Sequence, residues 1–201
     1  MTTTLISVEE FLDLPEREGV RLELHEGRII EMASASPLHC ALQARLSQWC
    51  GTWIDRTGAD FYAFVNLGFL LETATVRIPD VSLVRKSSFA SIERVRGALR
   101  GAPELAIEVV SEHEDAEDLD LKIRQYLNAG TGVVWAVYPK TRHVLVYRRS
   151  GEARDIGAGQ GLEEAGLEIL RQAREQLGIP IVTEVMDSHE AELVARCADI
   201  L

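Results

Sequence analysis

The sequence predicts an α/β or α+β fold, a sheet flanked by helices, and three observations predict it. Helical and strand-like periodicities alternate from about residue 37 to residue 148 as helix, three strands, helix, two strands. The stretch "ELAIEVVS" (104–111) is apolar on both faces apart from Glu108 and the flanking positions, as in a strand covered on both sides. The chain has 201 residues, 46% hydrophobic and 26% charged, enough for one good core with room for an appendage.

Each element has its own signal. "SVEEFLDL" opens with Ser7 and has Glu10 three residues later, the pattern of a reciprocally capped short helix. "VRLELHEGRIIEMA" alternates around His25-Glu26-Gly27 and reads as a hairpin. From Pro37 to about Ile54, Leu38, Leu42, Leu46, Trp49 and Trp53 recur at helical spacing. Two strands follow, within 60–71 and 75–84; Pro79 in the second removes a ladder donor and predicts an edge or a bend. After 104–111, Leu119, Ile123, Tyr126 and Leu127 form the apolar stripe of a helix over about 115–129, and Gly130 ends it. "GVVWAVYP" and "HVLVYRR" are two more strands, joined by "PKTR".

Composition narrows the function classes. No apolar run approaches the roughly 18 residues needed to cross a bilayer. The opening "MTTTLISVEEFLDL" has no basic region and carries early acids, so it does not read as a signal peptide. Cys40, Cys50 and Cys197 are odd in number and lack metal-type spacing, which predicts reduced thiols in a cytoplasmic protein. The net charge of −11 is unevenly placed: 17 Lys+Arg against 21 Asp+Glu in residues 1–150, and 4 against 11 in residues 151–201. An acidic chain argues weakly against nucleic acid. Yet residues 85–100 carry Arg85, Lys86, Arg94, Arg96 and Arg100 against Glu93 alone, a basic stretch able to touch phosphates or simply to face water.

Glu108 poses the functional question. An ionised carboxylate buried without a partner costs several kcal/mol or more, so it is normally paired, protonated or metal-bound. Asp80 follows Pro79 in the preceding strand, and if the two strands pair, both carboxylates converge at one end of the sheet. Two such groups repel unless a cation lies between them, and a hard divalent ion such as Mg²⁺ fits such a pair. On the next helix Asp118, Lys122 and Gln125 lie along one line beside the apolar stripe. Lys122 there could lean over the sheet end toward a phosphate or an attacking water, or form an ordinary surface pair with Asp118. In the purely structural alternative, Asp80 caps a turn and Glu108 pairs with an arginine such as Arg77.

These residues resemble the PD-(D/E)XK nuclease superfamily and, more narrowly, the Uma-type family of endonucleases, over about residues 5–150. The motifs are "RLELHEGRIIEMASASPLH", "RIPDVSLV", "PELAIEVVS" and "EDLDLKIRQYLNAGTGVVWAVYPKTRHVLVYR", in the family's order. The resemblance implies a restriction-endonuclease-like mixed central sheet. It also implies metal-assisted hydrolysis of nucleic acid, DNA favoured, with Mg²⁺ or Mn²⁺ held by Asp80 and Glu108 and Lys122 as the catalytic lysine. Glu23 matches the opening motif's glutamate near the metal; His39, Gln125 and Tyr126 take supporting roles. The lysine lies on the helix, which agrees with Val110 standing where E-x-K would place it on the strand. Two sites facing opposite strands would suit a homodimer.

Departures from the family pattern are local. The Pro-Ser usually found after Ser111 is replaced by "EHED", adding Glu112, Glu114 and Asp115, and Tyr138 replaces a common aspartate. "GEARDIGAGQGLEEA" (151–165) reads as a Gly- and acid-rich junction, and residues 166–201 resemble a fragment of DAHP synthase, an αβα appendage too short to close an eight-stranded barrel. Two other functions compete with the nuclease. One is a degenerate nuclease fold that binds nucleic acid or protein without cutting; the other, resting on the tail alone, is a shikimate-pathway protein.

Overall fold

The structure is a computed structural model that describes residues 5–15, 19–32, 35–111 and 114–157. Helix α1 (Val8–Leu12) has the expected capping box, with Ser7 and Glu10 each accepting from the other's backbone N–H. Strands β1 (Arg21–His25) and β2 (Arg28–Met32) form the expected hairpin. Its turn needs positive φ at Glu26 and Gly27, and a Cβ at Gly27 would lie 3.1 Å from the Ile6 carbonyl oxygen. Helix α2 (Pro37–Thr57) follows, capped by Ser36.

The stretches 60–71 and 75–84 hold four strands rather than two: β3 (Phe61–Val65), β4 (Gly68–Glu72), β5 (Thr75–Arg77) and β6 (Val81–Arg85). Asn66, at φ 54, lies between the first pair, which belong to different sheets. Pro79 separates the second pair at the predicted bend. Then come α3 (Lys86–Phe89), β7 (Arg94–Val95), β8 (Ala98–Arg100), β9 (Leu105–Val109), α4 (Ala116–Ala129), β10 (Val133–Tyr138), β11 (His143–Arg148) and β12 (Ala153–Gly157).

The strands form two mixed six-stranded sheets where the sequence predicted one. The first runs β12-β11-β10-β9-β6-β3, with β9 and β10 parallel. The second runs β2-β1-β5-β4-β8-β7, with β4 and β8 parallel. The bend at Pro79 therefore passes the chain from one sheet to the other. The second sheet escaped the sequence reading because three of its strands have three residues or fewer, too short for a periodicity.

Helix α2 covers one face of the first sheet. Leu46, Cys50 and Ile54 pack with Phe61, Val81, Leu83, Leu105, Ile107, Val109 and Trp135. The buried line of this helix runs His39, Gln43, Leu46, Cys50, Ile54, while Leu42, Trp49 and Trp53 flank it. The predicted stripe was thus rotated by one position, and the helix buries two polar side chains in its first turns. Helix α4 covers the opposite face, where Leu119, Ile123 and Tyr126 meet Val84, Ala106, Val134 and Ala136, with Phe69 and Leu99 of the second sheet. A third cluster joins Val8 and Phe11 of α1 to Leu24, Leu70 and Val76. Strand β9 is buried at all five positions, as its two apolar faces predicted.

Strand β12 lies within the stretch read as a junction and pairs antiparallel with β11. The expected appendage at 166–201 lies outside the described residues. No helix among the described residues is long and apolar enough to cross a membrane.

Candidate active site

Strands β6 and β9 pair antiparallel, with Val81 opposite Ile107. One step further that register sets Asp80 beside Glu108. Asp80 emerges from the Pro79 bend almost fully buried. Its Oδ2 accepts the Val109 N–H at 2.8 Å. Its Oδ1 contacts His39 Nε2 at 2.9 Å and accepts from Gln43 Nε2 at 3.3 Å and Arg21 Nη1 at 3.4 Å. Burial alone would raise the Asp80 pKa. The bonds from His39 and Val109, with the charges of His39 and Arg21, overcome that and hold the carboxyl below its ordinary value.

Glu108 points to the face covered by α4. Its Oε1 accepts the Tyr126 hydroxyl at 2.9 Å, and its Oε2 lies 3.7 Å from Lys122 Nζ. Burial pushes the Glu108 carboxyl up to about 8; the Lys122 charge opposes this, while Asp80, Glu23 and Glu114 reinforce it. Lys122, 4% exposed, faces Glu114 at 3.3 Å, Glu108 at 3.7 Å and Glu23 at 3.8 Å. Burial works against its charge, but the three carboxylates outweigh burial and raise its pKa. The alternative of an Asp118–Lys122 surface pair is overturned. Asp118 is exposed at the start of α4, whereas the long lysine side chain leans inward over the apolar stripe.

Glu23 on β1 completes the cluster from the second sheet. It accepts from Arg77 Nη1 at 2.7 Å and from the Ile78 N–H at 2.9 Å. Arg77 therefore belongs to Glu23, not to Glu108, and the proposed Arg77–Glu108 pair is not formed. Gln125 fixes this arginine by accepting from its Nε at 2.7 Å, and its own Nε2 is 2.7 Å from His25 Nδ1. Burial, then the charges of Glu108 and Glu23, raise the Tyr126 pKa well above the ordinary phenol value, so Tyr126 is a hydrogen-bond donor at neutral pH.

Seven predicted residues thus meet: Asp80, Glu108, Lys122, Glu23, His39, Gln125 and Tyr126. Four more had not been singled out as part of the centre: Arg21, Gln43, Arg77 and Glu114. Two were within reach of sequence logic, because Arg21 is two residues from Glu23 on a strand and Gln43 is four from His39 on a helix. The basic stretch is divided. Arg85 pairs with Glu104, Arg96 with Asp13 and Arg100 with Glu93. Arg94, Arg96 and Arg100 lie on or between β7 and β8 at the far edge of the second sheet. Lys86 and Arg94 face aromatic rings.

A family model described as "Uma2: Putative restriction endonuclease" matches residues 8–177. The chain belongs to the Uma2 family. The Uma2 fold is also that of a crystal structure from Anabaena variabilis ATCC 29413, described as "a putative nuclease belonging to DUF820": TM-score 0.70, 20% identity, covering 96% of this chain and 99% of that one. Two shorter matches are to 2-dehydro-3-deoxyphosphooctonate aldolases. The Cyanothece sp. enzyme is 40% identical over 47 residues, and that of Parasynechococcus marenigrum 49% over 43. The matches amount to 23% and 21% of this chain and only 17% and 15% of those enzymes. Their name differs from the DAHP synthase expected for the tail, and nothing of that length carries a whole enzyme's activity.

Proposed function

We propose that this Uma2 protein is a metal-dependent endonuclease that hydrolyses phosphodiester bonds of nucleic acid, DNA favoured. The carrying observation is the imbalance at Glu108. Lys122 is shared among three carboxylates, and Arg77 already serves Glu23, so Glu108 and Glu114 have one ammonium between them. The deficit is met either by a proton, hence the raised pKa, or by a cation.

The donor set fits Mg²⁺ or Mn²⁺. Asp80 Oδ1 is surrounded by protein donors, but Oδ2 has a single N–H partner, and Glu108 Oε2 has only the distant ammonium. Among the described residues no group of three or more His, Cys, Asp or Glu side chains forms an ion-holding cluster. Two carboxylates plus substrate and water oxygens is a normal Mg²⁺ arrangement, so Asp80 and Glu108 would hold the ion. When bound, the ion supplies positive charge that polarises the phosphate and acidifies water. Tyr126 holds the Glu108 carboxylate in place, and His39, Gln43 and the Val109 N–H fix Asp80. Lys122 has three N–H donors to turn from Glu114 to the non-bridging oxygens as negative charge builds on them. Glu114 is thus a resting partner for the lysine. Water attacks phosphorus, the bridging oxygen leaves, and the proton lost by water balances the one the leaving oxygen takes up.

The test is titration of the metal-free protein and its Asp80→Ala variant with Mn²⁺ and Mg²⁺, with plasmid and single-stranded substrates assayed alongside. Wild type should bind the ion, gain thermal stability from it and cut, while the variant should lose at least about a hundredfold in rate. Ion binding without cleavage would leave the degenerate binding module as the better reading. No binding at millimolar ion would remove the metal from the account.

A further inference from the structure

Strand β3 is an edge of the first sheet, and its outer side chains make a surface the catalytic cluster does not use. Tyr62 is opposite Val84, Phe64 opposite Ser82, and Ser82 opposite Ala106. Opposed residues share a face, and Glu108 is two residues beyond Ala106, so Tyr62 and Phe64 lie on the face that carries Glu108. Phe89 of α3 joins them. Its ring is 5.3 Å from Tyr62 and 5.4 Å from Phe64, with Phe64 stacked on it. The three rings form one continuous apolar surface, and Tyr62 is 44% exposed.

Two cations rim this surface. Lys86 Nζ is 5.6 Å from the centre of the Tyr62 ring, and Arg94 Cζ is 5.0 Å from that of Phe89. Among the described residues neither has a carboxylate at ion-pairing distance, unlike Arg85, Arg96 and Arg100, whose charges are matched by Glu104, Asp13 and Glu93. An otherwise acidic chain here keeps two unmatched positive charges beside three clustered rings. That combination fits a polyanion carrying flat π-faces: base stacking on the rings and phosphate contact at the rim, with little dependence on sequence. Inside a duplex both faces of each base are covered by its neighbours, so successive bases can lie on these rings only when they are unpaired, which favours a single strand.

We propose that Tyr62, Phe64 and Phe89, rimmed by Lys86 and Arg94, are a stacking platform for unpaired nucleotides that leads a single strand across the sheet toward Asp80. From the Tyr62–Val84 pair to Asp80 is four residues along β6, about 13 Å at strand rise. The direction toward Asp80 rests on the nuclease reading; affinity of the platform for single strands does not.

Full-length protein in EDTA, with a labelled oligothymidylate and a blunt duplex of equal length, provides the test by fluorescence anisotropy. Wild type should prefer the single strand. Tyr62→Leu, which keeps apolar bulk without a ring, should weaken that binding about tenfold, and Tyr62→Phe should restore it. Lys86→Gln with Arg94→Gln should lower the salt dependence by about two counterions. Unchanged affinity in a Tyr62→Leu protein that melts like wild type would overturn the platform. So would a preference for duplex, or a change in sedimentation showing that the patch joins two copies. Asp80→Ala separates the two readings. If it still cuts while Tyr62→Leu loses binding, the platform stands and the catalytic assignment falls; if it is inactive while Tyr62→Leu binds normally, the reverse holds.

Discussion

The two faces of β9 are a controlled comparison within five residues. Leu105, Ile107 and Val109 point under α2 into an apolar cluster with Leu46, Cys50 and Ile54 of that helix. Ala106 and Glu108 point the other way, where α4 brings Lys122, Gln125 and Tyr126 as well as Leu119 and Ile123. Both faces are dry. They differ in what lies beyond the covering helix: the α4 face also meets the second sheet, which sends Glu23 and Arg77 into the gap. Buried charge is tolerable there because two sheets and a helix supply partners from three directions; on the other side α2 serves one carboxylate, Asp80, with His39 and Gln43 of its first turns, and is apolar beyond them.

That comparison can be broken from either side. The largest effect should come from Arg77→Met, which leaves Glu23 buried with only Lys122 and the Ile78 N–H. Urea unfolding should show a loss of about 3–5 kcal/mol, and Arg77→Met combined with Glu23→Leu should recover much of it. A single variant as stable as wild type would mean the charged face is no more demanding than the apolar one. On the other side, Ile107→Ala should cost about 2–5 kcal/mol by leaving a cavity, with the rate per folded molecule unchanged. A fall in that rate would show that the α2 face also shapes the site.

The smallest effect is in pH. Folding raises the Glu108 pKa to about 8, so the folded state holds that proton more tightly than the unfolded chain does. The stability it contributes is complete below the ordinary glutamate pKa and is lost as pH rises through about 8. Asp80, held low, acts in the opposite sense and loses its contribution only in acid, as pH falls through its depressed pKa. Metal-free wild type should therefore melt lower at pH 9 than at pH 6, and Glu108→Gln should flatten that difference. An equal slope in both proteins would assign the effect to another group.

The sequence was most legible where one residue type has one physical use. Pro79 predicted a bend, and the bend is one of the passages between sheets; Glu108 in an apolar strand predicted a partnered carboxylate, and Lys122 and Tyr126 partner it. Ser7 with Glu10, and Gly130 after Leu127, marked helix ends correctly. Legibility failed where the partner is distant in the chain. Arg77 could serve Glu23 or Glu108, and only the pairing of β1 with β5 decides between them. Gln43 looked like a polar residue beside an apolar stripe, because periodicity counts hydrophobic side chains and this one is buried to hold a carboxylate; His39, its neighbour one turn earlier, was reached through the family motif and not through the period. Short strands such as β7 and β8 gave no period at all.

The passage at Pro79 makes the centre a conjunction. Asp80 stands where the chain leaves one sheet for the other. Glu23 comes from the second sheet, Glu108 from the first, and Lys122 from a helix that the chain reaches only after all of them. No single supersecondary unit contains the machinery, so no fragment, partly made chain or locally opened state can carry it. Loosening either sheet, however remote from the chemistry, withdraws one member of the set. The proportion of working molecules then follows the weakest cooperative unit rather than the stability of the whole. A protein arranged in this way has its site assembled only when the fold is complete.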